Sequence, residues 1–317
     1  MPVRFRPFRN PDPPALVSIW NECFTSRGAA YLNGTLPLEH LVLSKPYFDP
    51  DGLILALEND RPVGFVHAGF APDAAGKQLD CHVGAICALA VRPSHQHRGT
   101  GRELLSRAEA YLRSKGARTI IAGPIRPKAP FYWGLLWGSE PAGVLRSMPR
   151  VGQFLSASRY QPGEATLIYQ RTLDSLPLVP DIRFPGIKRR CELQVAPRPV
   201  APSWFEEVLQ SPLDMLQFQL VQADDGRELA TVRVWDMEHY AWRWHQPSAG
   251  IIDLQVAQEA RGQGLAKFLL LSVLRYLQEQ FYGLVEIHVP HDNAIARRLV
   301  ETLGFAQVDE GTVYRKE

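Results

Sequence analysis

Apolar and basic residues alternate from Val3 to Arg9, the period-two signature of a half-buried strand. Asp12-Pro13-Pro14 then offers a helix start, and Leu16, Ile19, Trp20 and Phe24 recur on one helical face. A second short helix is predicted over 38–48. Strand patterns over 53–57 and 63–70 flank a turn at Asn59-Asp60-Arg61-Pro62 and predict a hairpin. The run 83–91 is small and apolar. A glycine turn and a helix over 101–114 follow it, with Leu104, Leu105, Ala108, Tyr111 and Leu112 as inner face. Gly116 stops that helix, and 119–122 is the next strand. The order then breaks. Residues 123–143 are crowded with Gly, Pro and aromatic side chains, which predicts an ordered loop around a short helix. A short helix over 153–158 and a strand over 165–173 end the first half.

Pro177, Pro180 and Pro185 mark residues 174–190 as a linker. The pattern then restarts near Cys191. A shortened helix is predicted over 204–209, with strands over 216–221, 229–236 and 250–256. The helix over 265–280 is apolar nearly all round, which predicts burial on several sides, against the first half or another subunit. A strand over 284–289, a helix over 294–303 and a strand over 308–314 complete the chain.

One short pattern occurs in both halves. Gln96-His97-Arg98-Gly99-Thr100-Gly101 and Arg261-Gly262-Gln263-Gly264-Leu265-Ala266 lie 165 positions apart, each preceded five residues upstream by a valine, Val91 or Val256. In each, a strand turns through glycine into a helix. The opening amides of a helix have no internal partner and sit at the positive end of its dipole. Glycine lets an anion approach the backbone, so each turn is a candidate phosphate cradle. Neither copy has the third glycine of a dinucleotide-binding fingerprint or the Gly-Lys-Ser/Thr of a P-loop.

The 317 residues suit two domains: an N-terminal unit over 1–173 and a C-terminal unit over 191–317. With 45% hydrophobic and 21% charged residues, the chain has the composition of a globular protein. A net charge of +2 argues against a nucleic-acid partner. Cys23, Cys81, Cys87 and Cys191 have no paired spacing and read as free thiols in a reducing compartment. The opening MPVRFRPFRN has no apolar core of the signal-peptide kind, and no apolar run is long enough to span a bilayer. These features predict a cytoplasmic protein with no membrane partner. They leave the oligomeric state open.

The repeated pattern resembles the signature of the GCN5-related N-acetyltransferases, the GNAT superfamily. Val91 with Gln96-x-x-Gly99-x-Gly101, and Val256 with Arg261-x-x-Gly264-x-Ala266, both match it in full. Asn293-x-x-Ala296-x-x-Leu299 leading to Gly304-Phe305 resembles a later element of the family. The resemblance covers nearly the whole chain, in the layout of tandem two-domain members of the mycothiol synthase type. It implies an α/β (α+β) fold of two units, each a twisted mixed sheet flanked by helices. It also implies transfer of an acetyl group from acetyl-CoA to a small-molecule or peptide amine by direct attack. Turn residues Gln96, His97, Arg98, Gly99, Thr100, Gly101 and Arg102, and Arg261, Gly262, Gln263, Gly264, Leu265, Ala266 and Lys267, would hold the coenzyme A diphosphate. Leu89, Ala90 and Val91, and Leu254, Gln255 and Val256, would line the pantetheine arm, and Asn293 would meet its thiol end. The chemistry needs a base for the ammonium, donors for the oxyanion and a proton for the thiolate.

Val300 and Leu155 stand where family members often carry a tyrosine acid, and Met148 stands where the second half has Asn293. Asp253 is a candidate proton relay or a carboxylate with a structural partner. His288 is a candidate base or a satisfied strand-edge histidine, and Tyr314 a substitute acid or a packed strand residue. Cys87 reads as a buried inert thiol. Arg98, Arg102 and Lys267 would meet phosphates or line a solvated face. The aromatics of 131–137, with Trp235, Tyr240, Trp242 and Trp244, would wall an acceptor pocket or form the seam between the halves. Asp253 and Asn293 favour the C-terminal unit for catalysis. The missing tyrosines support an alternative, an acyl-CoA-binding sensor or scaffold with one or both units silent.

Overall fold

The computed structural model describes residues 2–176 and 180–317, so Pro177 of the expected linker lies outside the described residues. Strands β1 (Arg4–Pro7), β2 (Leu53–Glu58), β3 (Arg61–Pro72) and β4 (Leu79–Val91) form an antiparallel meander, which β5 (Thr119–Ala122) extends in parallel. Helix α1 (Pro13–Cys23) buries Leu16, Ile19 and Trp20 on one face of this sheet. The short α2 (Leu36–Leu38) runs into a π turn over Glu39–Leu43 on the same side. Helix α3 (Thr100–Ser114) covers the other face with Leu104, Leu105, Ala108 and Leu112, the stripe its apolar spacing dictates. A two-residue strand β6 (Val144–Leu145), helix α4 (Pro149–Ala157) and strand β7 (Gln161–Thr172) follow.

The C-terminal half repeats the plan with α5 (Phe184–Arg190), β8 (Cys191–Pro197), α6 (Trp204–Gln210), β9 (Met215–Gln222), β10 (Glu228–Asp236), α7 (Ala241–Trp244), β11 (Ser248–Val256), α8 (Leu265–Glu279), β12 (Leu284–Pro290), α9 (Ala294–Thr302) and β13 (Ala306–Lys316). The linker is thus partly helical. Its helix α5 answers the all-round apolarity of α8. One side of α8 lies on β9, β10 and β11, and Phe268 on another side packs against Phe184 of α5, ring centroids 5.3 Å apart. The cover comes from the linker and also from the end of the first half, where Gln278 Nε2 of α8 donates to the Leu173 carbonyl at 2.6 Å and Leu173 shares the α8 core.

The closing strands are exchanged between halves. β13 pairs with β5, setting Tyr314 opposite Ala122, while β7 pairs with β12, setting Tyr169 opposite Ile287. β13 and β7 pair with each other, so one mixed 13-stranded sheet runs through both units. Each exchanged strand covers what would otherwise be an open edge of unpaired N–H and C=O groups.

The 123–143 loop holds no helix and fills the seam. Phe131, Tyr132, Trp133, Leu135, Leu136 and Trp137 are all buried in a core shared with Trp235, Met237, Tyr240 and Ile252 of the C-terminal half. The indole nitrogens of Trp133 and Trp235 both donate to the Ser139 carbonyl, at 2.9 and 2.8 Å. Trp242 is exposed. Among the described residues no helix is long and apolar enough to cross a membrane.

Candidate active site

The two glycine turns are built alike. His97 and Gly99 have φ of 61° and 84°, and Gly262 and Gly264 have 74° and 85°, all left-handed. Gly99 and Gly264 are the residues that enter α3 and α8, where a Cβ would add strain. Gln96 Nε2 donates to the Val91 carbonyl at 2.8 Å, and Arg261 Nε to the Val256 carbonyl at 3.2 Å. This explains the five-residue spacing of the motif: the long side chain ties the turn back to the end of its strand. Gln96 and Arg261 therefore shape the cradle through their side chains.

The first closed helical turns run from Glu103 N to Gly99 O and from Phe268 N to Gly264 O, both 3.0 Å. The amides of Thr100, Gly101 and Arg102, and of Leu265, Ala266 and Lys267, precede them and point out along the helix dipole. No protein atom comes within 4 Å of the place a Cβ would take at Gly99 or Gly262. Two amide-lined helix starts fit a diphosphate, the first open at Gly99 and the second with the Arg183 guanidinium beside Gly264. Arg98 and Arg102 are exposed beside the first cradle. Lys267 lies 3.4 Å from Asp181.

Beside each cradle the sheet parts. β4 and β5 pair only as far as Ile86 and Ala122, and β11 and β12 only as far as Ile251 and Ile287. A bulge marks each break, at Cys87 where β4 slips against β3 and at Asp253 (φ 54°) where β11 slips against β10. Leu89, Ala90 and Val91, and Leu254, Gln255 and Val256, lie beyond these breaks, where the parallel neighbour has ended. The backbone there borders a slot of the kind an extended arm enters.

The two slots differ in what faces the bulge. At Asp253 it is charge. Arg126, from the 123–143 loop, holds Asp253 Oδ1 at 2.9 Å, Glu206 of α6 at 3.1 Å and Glu140 at 3.4 Å. Arg233 stands 3.8 Å from Asp253 Oδ2, and the Arg126 guanidinium lies 4.8 Å from the Trp133 ring. Burial pushes the Glu140 carboxyl above the ordinary carboxylate value, against the pull of His288 and Arg126. At Cys87 the surroundings are apolar. Phe131 and Tyr132 of the same loop pack there, with His67 Nδ1 3.0 Å from the Tyr132 hydroxyl and its ring 4.3 Å from Phe131. Burial lowers His67 to about 3 and pushes the Cys87 thiol well up, leaving both neutral.

Three candidates take other places. The exchange carries Tyr314 to the N-terminal unit, where its hydroxyl lies 2.6 Å from the Cβ position of Gly152 on α4. It does not sit beside the Asp253 slot. His288 has a side chain 1% exposed, with Nε2 3.0 Å from Glu286 Oε1. Glu286 also accepts from Arg27, Gln170 and the Ser139 amide, each at 2.8 Å, which makes His288 part of the seam. Asn293 caps α9, its Oδ1 accepting from Ala296 N at 3.0 Å. Sequence reading missed Arg126, Glu140 and Glu206. The available signal was Glu140 itself, a charge closing a run of aromatic and glycine residues where charges are rare.

The profile of the Acetyltransferase (GNAT) family matches residues 14–148 and again residues 190–305. The mycothiol acetyltransferase of Nocardiopsis dassonvillei is 28% identical, over 91% of this chain and 90% of that protein. That of Renibacterium salmoninarum is 35% identical over a shorter stretch, 25% of this chain and 24% of that protein. Among solved structures, a tandem GNAT protein from the clavulanic acid biosynthesis pathway superposes with a TM-score of 0.68 at 17% identity, covering 100% of this chain and 98% of that one.

Proposed function

The chain belongs to the Acetyltransferase (GNAT) family, and from that premise we propose that the C-terminal unit acetylates a small-molecule amine while the N-terminal unit binds the same cofactor without turnover. Enzymes of this family use acetyl-CoA, which supplies an activated acetyl group and a thiolate that leaves without strong acid assistance. The observation that carries the choice of unit is the 123–143 loop. Its Phe131 and Tyr132 fill the place beside Cys87, whereas its Arg126 and Glu140 bring charge to the matching place beside Asp253.

In this reading the amides of Gly264 to Lys267 hold the diphosphate, and the backbone of Leu254, Gln255 and Val256 orients the pantetheine arm. Asp253 and Glu206 anchor Arg126. Glu140, its carboxyl raised by burial, takes the proton that the substrate ammonium must lose before attack. His288 keeps Glu286 in place and supports the loop from beneath. Val300 stands on α9 where a tyrosine acid would be, so in this reading the thiolate takes its proton from solvent.

The acceptor is identified by screening coenzyme A release over a panel of amines that includes the one mycothiol acetyltransferases acetylate. With the best acceptor, Glu140→Gln lowers kcat/KM by about 10²–10⁴-fold, the ordinary worth of a positioned base, with KM for acetyl-CoA unchanged. Undiminished turnover in Glu140→Gln would remove Glu140 from the mechanism.

A further inference from the structure

The two cradles differ in one respect that the family pattern does not contain. Nothing covers Gly99, but a Cβ at Gly264 would come within 2.9 Å of Arg183 Nε and 3.0 Å of its Cζ. Arg183 belongs to the linker, at the start of α5. Its Nη1 donates to the Gly262 carbonyl at 3.0 Å, which lays the guanidinium flat over the turn. Its other edge grips Asp181 through Nε at 2.8 Å and Nη2 at 2.7 Å, a two-pronged pair. Asp181 also accepts from Lys267 Nζ at 3.4 Å, and Arg190 Nη2 reaches Gln263 Oε1 at 2.8 Å. Although Asp181 lies in a linker, its side chain is only 8% exposed. Bonds from Arg183 hold its carboxyl far below the usual range.

A carboxylate is thus clamped between two cations at the mouth of a helix start suited to anions. At the matching Gly99, among the described residues, no side chain takes this place. We propose that Arg183 is a phosphate ligand of the C-terminal unit, supplied by the linker and kept in position by Asp181, which a coenzyme A phosphate displaces. The exchange replaces one anion with another on the same two cations. Arg183 and Lys267 give up one monoanion and gain a more highly charged one, without moving off the turn. The linker thereby senses whether the C-terminal cradle is loaded. This inference rests on the C-terminal unit holding the cofactor.

Calorimetric titration of coenzyme A into the Gly99→Glu protein reads the C-terminal cradle alone. There, Arg183→Ala weakens binding about tenfold or more, the worth of a charge-assisted pair. Arg183→Lys lies between, and Asp181→Asn tightens binding several-fold. Acetylpantetheine, which lacks the diphosphate, competes equally well in all variants. Equal or tighter coenzyme A binding by Arg183→Ala would make Arg183 a plug and overturn the proposal, as would weaker binding by Asp181→Asn. If the Gly99→Glu protein binds no coenzyme A at all, the assignment of the C-terminal unit falls first and takes this inference with it.

Discussion

Replacing Arg126 with methionine keeps an apolar stem against Trp133 and removes the one cation that touches Asp253, Glu206 and Glu140 together. A cation at this range lowers a carboxyl pKa by about 1–3 units. At 3.4 Å, and shared with two other carboxylates, Arg126 pulls Glu140 downward against burial. Arg126→Met removes one of the two cations that oppose burial, the other being His288, and so raises the Glu140 carboxyl further toward the protonated form. A base works only when deprotonated, so the acid limb of kcat/KM moves to higher pH. Above the new limb most of the loss is recovered. The assay is coenzyme A release across the pH range at constant ionic strength, with near-ultraviolet circular dichroism to confirm the fold. A folded variant whose limb stays put, or whose loss is equal at every pH, would refute the idea that Glu140 titrates under the control of Arg126.

Other outcomes follow from the buried charges. Burial alone would raise Glu286, but the bonds from His288 and Arg27 outweigh it and hold the carboxyl below its usual range. Its stabilisation is present above the unfolded carboxylate value and is lost as pH falls through the lowered one. Glu286→Leu costs about 3–5 kcal/mol at pH 7, because half-buried Arg27, buried His288 and the buried Ser139 amide lose their shared partner; urea melts at pH 7 and pH 4 check that the gap narrows in acid. Lys45, whose ammonium donates to Val208 O at 2.5 Å, is lowered by burial from 10.5 to about 8. The unfolded chain then binds more protons between these values, so stability rises with pH from about 8 to about 10.5, by about 3 kcal/mol in all. Urea melts of Lys45→Met lack this rise, and a rise equal to wild type would sink the assignment.

Much of this structure is legible in the residue pattern, because local rules govern it. The strands, the 3.6-residue stripes of α1, α3 and α9, and both cradles follow from period and glycine placement. Even the role of Gln96 and Arg261 is implicit in the five-residue spacing from Val91 and Val256. What the pattern hides is nonlocal. A strand signature says that 165–173 and 308–314 pair, but the edges at β5 and β12 are chemically alike, so nothing in it says which strand takes which edge. That choice decides which unit Tyr314 joins, and it stands opposite Ala122 of β5. The seam charges were hidden similarly: Arg126 and Glu140 lie more than a hundred residues before Asp253, in a loop whose aromatics read equally well as pocket wall or interface. The linker hid α5 because its prolines mask a helix of seven residues.

The central claim is that one cradle serves turnover and the other does not. The most direct test is acetyl transfer and coenzyme A stoichiometry in Gly99→Glu and Gly264→Glu, each placing a carboxylate where a diphosphate would sit. The account predicts that Gly264→Glu abolishes transfer while one equivalent of coenzyme A still binds, and that Gly99→Glu also binds one equivalent but continues to turn over. Loss of transfer in Gly99→Glu alone would contradict it and move the active site to the other half of the chain.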